Sequence, residues 1–325
     1  MFPYIGPEFI EALRSLAMDR TATDIPPAAP RTGKNEKGAN PKMPQLNINV
    51  PPELWHAIEA QGDQQGDGPV GIVFRALSEY LDGGRDRLYQ VSTSSALVEG
   101  VSDGAVEIGT LRKYGDLGIG TFEQLDGEMV IVDGRVFQVR CDGTVAEVAD
   151  TVLTPFATVT RFRADAEVLL KSCPHFAALT EAFDQLRSTN NLFFSLRVDG
   201  HFDYVRTRAI CRMVPGTKLI DAAAVQPEFE YRNLYGTLVG FWSPEYSKTL
   251  SIPGYHMHFL SVDHRAGGHL LECRGTELTL QLQRGTRFSL VLPETNSFLD
   301  ADLHRDPSED LEKAERFQPE KVKES

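Results

Sequence analysis

"GYHMHFLSVDHRAGGHLLE" (residues 254–272) holds four of the chain's eight histidines. Successive side chains of an extended strand point to opposite faces. His256 and His258 therefore share one face, and Met257 turns into the other layer. "SVDHRAGG" carries the glycines of a chain reversal, and "HLLE" reads as the returning strand, which brings His269 opposite the first pair. Three imidazoles on two adjacent strands match the three-ligand arrangement of a zinc site that keeps a fourth position for water or substrate. Neutral imidazole nitrogen also suits iron, nickel or copper. The plainer reading is a hairpin whose rings are hydrogen-bonded or wet. His264, in the turn between Asp263 and Arg265, reads as a surface residue.

Outward from this hairpin the texture is strands and tight turns. "LYGTLVGFW", "GYHMHFLSV", "GGHLLEC", "ELTLQLQ" and "TRFSLVLP" predict an antiparallel meander. Upstream, "MVIVDGRVFQVRCDGTVAEVA" breaks into short strands at two Asp-Gly pairs, 133–134 and 142–143, each a hairpin signal. "LYQVSTSSALVEG" predicts a strand entering a helical turn, "FATVTRF" a strand, residues 174–188 a helix, and "LFFSLRVDGHFDYVRTRAI" strands again. The charged last 25 residues show a helical pattern around Leu311. No repeat is evident, and the pattern as a whole predicts an α/β (α+β) fold with extensive mixed and antiparallel sheets.

The 325 residues suffice for one large core or two smaller ones. The formal charge of -13 disfavours non-specific association with nucleic acid or anionic lipid. Cys141, Cys173, Cys211 and Cys273 form no CxxC pair, which points to free thiols in a reducing compartment. No run approaches the length of a membrane span, and "MFPYIGPEFIEALRSLAMDR" lacks the basic start and long apolar stretch of a secretion signal. The expected location is the cytoplasm.

The runs "YGDLGIGTFEQLDGEMVIVDGRVFQV", "NLFFSLRVDGHFDYVRTRAI" and "GTLVGFWSPEYSKTLSIPGYHMHFLSVDHRAGGHLLE" resemble the acetolactate decarboxylases, with the motifs in the family's order from residue 88 to about residue 315. The resemblance implies a two-part α/β architecture, a homodimer, Zn2+ as cofactor, and conversion of 2-acetolactate to acetoin and CO2 through a metal-stabilised enediolate. It implies His256, His258 and His269 as metal ligands. Arg208, matching the arginine of "FxxVxxR", and Glu128, matching the glutamate of "LDGE", are implied as catalytic. A further glutamate from the C-terminal region matches Glu315, with Glu312 one helical turn-step away as the alternative. Proton delivery to the enediolate carbon is left between Glu128 and Glu315. "RAICRM", residues 208–213, departs from the family's segment after the arginine, and His264 is an addition in the hairpin loop.

The rest of the chain divides into a short amphipathic helix and a Pro/Gly/Lys-rich linker (1–42), a small strand-helix-helix unit (43–87), the catalytic region (88–318) and a disordered tail (319–325). The unit "LNINVPPELWHAIEA...GIVFRALSEYLD" resembles a ribbon-helix-helix module, in which strands of two subunits pair and enter a DNA major groove. Its charge argues against DNA binding: residues 43–87 hold three arginines against seven acids. A dimerising or docking role fits better. The competing reading of the whole chain is a non-catalytic, metal-containing sensor of a small hydroxy-keto acid.

Overall fold

The computed structural model describes residues 47–66, 68–81 and 86–315. The backbone divides into two units, Met1–Trp55 and His56–Ser325. In the first, residues 47–50 are without regular structure, and the N–H of Trp55 donates to the carbonyl of Pro51 at 2.9 Å as a helix begins. The strand expected over "QLNINV" is therefore not formed in residues 47–50. A lone strand has no ladder partner and does not persist by itself. The expected helix in residues 1–20, the linker and the tail from 319 lie outside the described residues.

Helices α1 (Pro52–Gln65) and α2 (Gly68–Leu81) follow, as the sequence pattern predicts. Then come β1 (Arg87–Val91), α3 (Ser94–Val98), β2 (Val106–Glu107), α4 (Ile108–Tyr114), β3 (Leu117–Thr121), β4 (Glu128–Val132), β5 (Arg135–Val139), β6 (Val145–Glu147), β7 (Leu153–Thr154) and β8 (Ala157–Thr160). The C-terminal half holds β9 (Ala166–Cys173), α5 (Phe176–Leu186), β10 (Phe193–Arg208), α6 (Leu219–Ala223), β11 (Glu228–Ser243), β12 (Gly254–Ser261), β13 (Gly267–Gly285), β14 (Arg287–Val291), α7 (Asn296–Leu299) and α8 (Ser308–Glu315). Among the described residues no helix is long and apolar enough to cross a membrane.

The strands build two large sheets. One runs β14-β1-β8-β3-β4-β5-β6, antiparallel except for the parallel β1–β14 pair. In the other, β10, β11, β12 and β13 pair in turn, β13 returns to pair with β10, and β9 adds to β13. The expected meander is thus right as far as β13, where "GGHLLEC" and "ELTLQLQ" join into one bent strand. "TRFSLVLP" leaves it for the other sheet. The transfer is fixed where the N–H groups of Thr286 and Arg287 both donate to the carbonyl of Asp86, seating β14 beside β1.

Period-two alternation orders the layers. On β4, Met129 and Ile131 face a cluster with Ile108 and Leu111 of α4, while Val130 faces a cluster shared with Val239 and Leu260 of the second sheet. On β12, Met257 and Phe259 pack with Leu179 and Phe183 of α5 on the far side. The layers are therefore α4, first sheet, second sheet, α5. Each buried Phe or Leu here is worth about 1.5–3 kcal/mol relative to exposure, which pins the strand faces and with them the polar residues that alternate with the core.

Candidate metal and substrate site

The alternation that sends Met257 and Phe259 toward α5 turns His256 and His258 toward the first sheet. On β4 it turns Glu128, which shares a face with Val130, toward the second. Histidines and glutamate meet between the sheets. Register completes the set: His258 of β12 lies directly opposite His269 of β13, and His269 lies opposite Arg208 of β10. Directly opposed residues share a face, so Arg208, His269 and His258 form a row across three strands.

One nitrogen from each of His256, His258 and His269 lies within 4.8 Å of the others. The ring centroids are 5.0, 5.0 and 5.5 Å apart. Nδ1 of His258 is 2.8 Å from the carbonyl of Met129; a carbonyl only accepts, so Nδ1 carries the proton and Nε2 presents a lone pair. That lone pair is 3.2 Å from Nε2 of His256 and 3.5 Å from Oε2 of Glu128. Burial, with a smaller push from the Arg208 guanidinium, lowers His256 to about 3. Burial first, then His256, holds His258 well below the usual imidazole value. His256 and His258 are therefore neutral at ordinary pH, so the Glu128–His258 approach is not an ion pair.

Neutral nitrogens and a carboxylate oxygen facing one another call for a proton or a cation between them. Two nitrogens bound tetrahedrally at about 2.0–2.1 Å from a metal stand roughly 3.3 Å apart, and the 3.2 Å between His256 and His258 fits that separation. The Met129 carbonyl fixes the ring of His258, as an outer hydrogen-bond partner does for a histidine offered to a metal. The donor set thus fits a divalent ion.

The site opens into a cleft lined by Glu128, Arg208, Ile210, His256, His269 and Ala314, among others. Glu128 is buried, and its Oε1 accepts the main-chain N–H of Ile210 at 3.0 Å. Arg208 donates through Nη2 to the carbonyl of Ala314, while its buried Nε finds no acceptor among the described residues. Helix α8 closes one wall by packing Leu311 and Ala314 against Leu97, Ile210 and Ile252. The C-terminal segment therefore folds back onto the cleft, a condition set by the matching of Glu315. That residue ends α8; Glu312 is exposed.

Residues 88–305 match the sequence pattern of the alpha-acetolactate decarboxylase family. The chain belongs to that family. It is 42% identical over 232 residues to the alpha-acetolactate decarboxylase of Methanosarcina mazei, covering 71% of this chain and 81% of that protein. Against the one from Methylococcus capsulatus it is 40% identical over 229 residues, covering 70% and 88%. The crystal structure of alpha-acetolactate decarboxylase from Bacillus subtilis strain 168 superposes with a TM-score of 0.69 at 34% identity, over 71% of this chain and 99% of that one. As an acetolactate decarboxylase by family, the chain is a lyase, and its α/β fold of mixed and antiparallel sheets is the family's.

Tyr255 packs on α5, its hydroxyl donating to Asp184 at 2.6 Å, as its position opposite the histidine face predicts. His264 packs against Phe137, ring centroids 4.4 Å apart and planes tilted by 36°, and takes no place among the three nitrogens. Sequence reasoning missed the Met129 carbonyl, the Ile210 N–H and the Ala314 carbonyl. All three are main-chain groups, which residue identity does not signal.

Proposed function

We propose that the protein converts 2-acetolactate to acetoin and CO2, with zinc held by His256, His258 and His269. The convergence of three imidazole nitrogens on the cleft that also holds Glu128 and Arg208 carries this reading. Family membership supplies the substrate. When bound, the ion supplies a Lewis acid that lowers the energy of negative charge developing on neighbouring substrate oxygens.

The chain's own residues do the rest. The bond to the carboxylate breaks, its electron pair passes into the adjacent carbonyl, and the carbon left behind takes up a proton. Arg208 is anchored at Nη2 by Ala314 and keeps a buried Nε donor with no acceptor among the described residues. A substrate carboxylate, or the charge that replaces it, satisfies that donor through the planar fork of the guanidinium. Glu128, fixed by the Ile210 N–H, has one oxygen toward His258 and the cleft, and holds the proton delivered to carbon. Glu315, next to the Ala314 that Arg208 grips, is assigned the second carboxylate; the exposure of Glu312 weighs against it.

Purified protein given racemic 2-acetolactate is expected to produce acetoin and CO2, to stop when chelated, and to resume with zinc. Protein that binds zinc and never forms acetoin would instead be the sensor.

A further inference from the structure

We propose that Cys141 and Cys211 form a redox modification site, where a small-molecule disulfide converts the two thiols into a cross-link that loosens the hold of Ile210 on Glu128. Backbone tethers bring the two cysteines together. The N–H of Ile210 donates to Oε1 of Glu128 at 3.0 Å, and the N–H of Met213 donates to the carbonyl of Gln124 at 2.8 Å. Cys211 therefore runs beside residues 124–128 between two fixed points. Glu128 lies opposite Val139 in the β4–β5 ladder, and the Gln138 side chain donates to the carbonyl of Asp126. The end of β5, which leads into Cys141, thus flanks the same residues. Asp126 marks the junction: its carboxylate is 3.9 Å from Nε of Arg140 and also acts on the Cys211 thiol. The thiols of Cys141 and Cys211 meet there. Both side chains are half-buried, and neither is in a disulfide.

Contact alone does not make a thiol pair reactive, because an oxidant must also reach it. Cys173 and Cys273 provide the contrast. Their thiols touch as well, but they are 1% and 0% exposed, inside the core cluster with Leu179 and Phe183 of α5. Exchange begins when a thiolate attacks a disulfide sulfur. Burial, then contact with Cys141, pushes Cys211 up to about 11, which holds it as a thiol and leaves the first attack to Cys141. Cys141 gives its proton to solvent, its sulfur bonds to one half of the small disulfide, and the other half leaves as a thiolate that is protonated in turn. The Cys211 sulfur then attacks the Cys141 sulfur, and the remaining half leaves with the proton that Cys211 gives up. Two protein thiols are oxidised by two electrons, and one small disulfide is reduced to two thiols. Closing the bond replaces a contact with a covalent link and draws the backbone at Cys211 toward Cys141. The adjoining residue is Ile210, so the N–H that fixes Glu128 is pulled from its place.

Full-length folded protein treated with oxidised glutathione, then denatured, alkylated and mapped by peptide mass spectrometry, tests the site. A link between Cys141 and Cys211 is expected, with Cys173 and Cys273 recovered as alkylated thiols. The linked protein is expected to lose about tenfold in kcat/KM for acetoin formation and to recover it with dithiothreitol. Cys141→Ser, with an unchanged far-UV spectrum, is expected to form no link and to keep its rate in the oxidant. Four results would overturn the proposal: no modification, a glutathione adduct without the link, a link formed equally between Cys173 and Cys273, or linked protein at full rate. The loss of rate rests on the reaction proposed above, whereas the link does not. Protein that forms no acetoin in either state would refute that reaction, and the peptide map would then decide the site by itself.

Discussion

Gly268→Ala adds one methyl group beside two functional side chains without touching either. Gly268 has φ +124°, a conformation that L side chains rarely adopt, and its added Cβ would sit 2.6 Å from the carbonyl oxygen of Arg208 and 3.1 Å from Thr207 Oγ1. An ordinary contact begins near 3.4 Å, so the β10–β13 crossing must open by about 0.8 Å. Its nearest neighbours are His269 along β13 and Arg208 across the ladder, so the proposed metal ligand and the proposed carboxylate anchor are both displaced. Misplacement of a reacting group by about 1 Å costs on the order of 10²-fold in rate; kcat/KM for acetoin formation should fall about 30- to 100-fold. Backbone strain and overpacking together should remove about 2–5 kcal/mol of stability, read from urea unfolding. Gly134→Ala is the control: its φ is +76°, with nothing within 4 Å of the added Cβ. It should lose stability from backbone strain and keep kcat/KM. A folded Gly268→Ala protein with wild-type kcat/KM and zinc affinity would refute the claim that this crossing sets the site's geometry.

Other consequences concern the side chains themselves. Arg208→Lys keeps the charge but loses the fork, so kcat/KM is expected to fall roughly 10²–10³-fold. Glu128→Gln keeps the shape and the Ile210 hydrogen bond but removes the transferable proton; kcat should drop about 10²–10⁴-fold with KM little changed, by steady-state acetoin assay. Metal-free protein should weaken in acid. His256 takes up a proton near 3 when folded and near 6.5 when unfolded, so below pH 6.5 the unfolded chain binds more protons. Stability should fall by roughly 1.4 kcal/mol per pH unit from this group as pH drops from 6.5 toward 3. Urea midpoints of chelated protein that stay flat across that window would contradict the burial of neutral His256.

Most of the site is legible where a single strand's alternation decides it. His256, Met257 and His258 separate into faces by period two, and the return of "HLLE" sets His269 in register with His258. The Asp133-Gly134 pair forms the expected tight hairpin, with φ of +51° and +76°. At Asp142-Gly143 the reversal is wider: the N–H of Arg140 donates to Thr144, and Asp142 accepts from the Thr144 N–H. What stays hidden depends on distant backbone. Nothing in "RAICRM" shows that the Ile210 N–H serves Glu128, 82 residues away. Nothing local to "TRFSLVLP" shows that it will prefer β1 to the strand it has just left. The fold-back of α8 becomes visible only because Leu311 and Ala314 find Leu97 and Ile252 waiting.

The central claim is a metal ion held jointly by three imidazoles. Anomalous diffraction at the zinc edge, on crystals grown with zinc, tests it directly. The account predicts one strong peak bonded to His256, His258 and His269, in the cleft with Glu128 and Arg208, and its loss in His258→Ala crystals. A wild-type map without density between those three rings would contradict it.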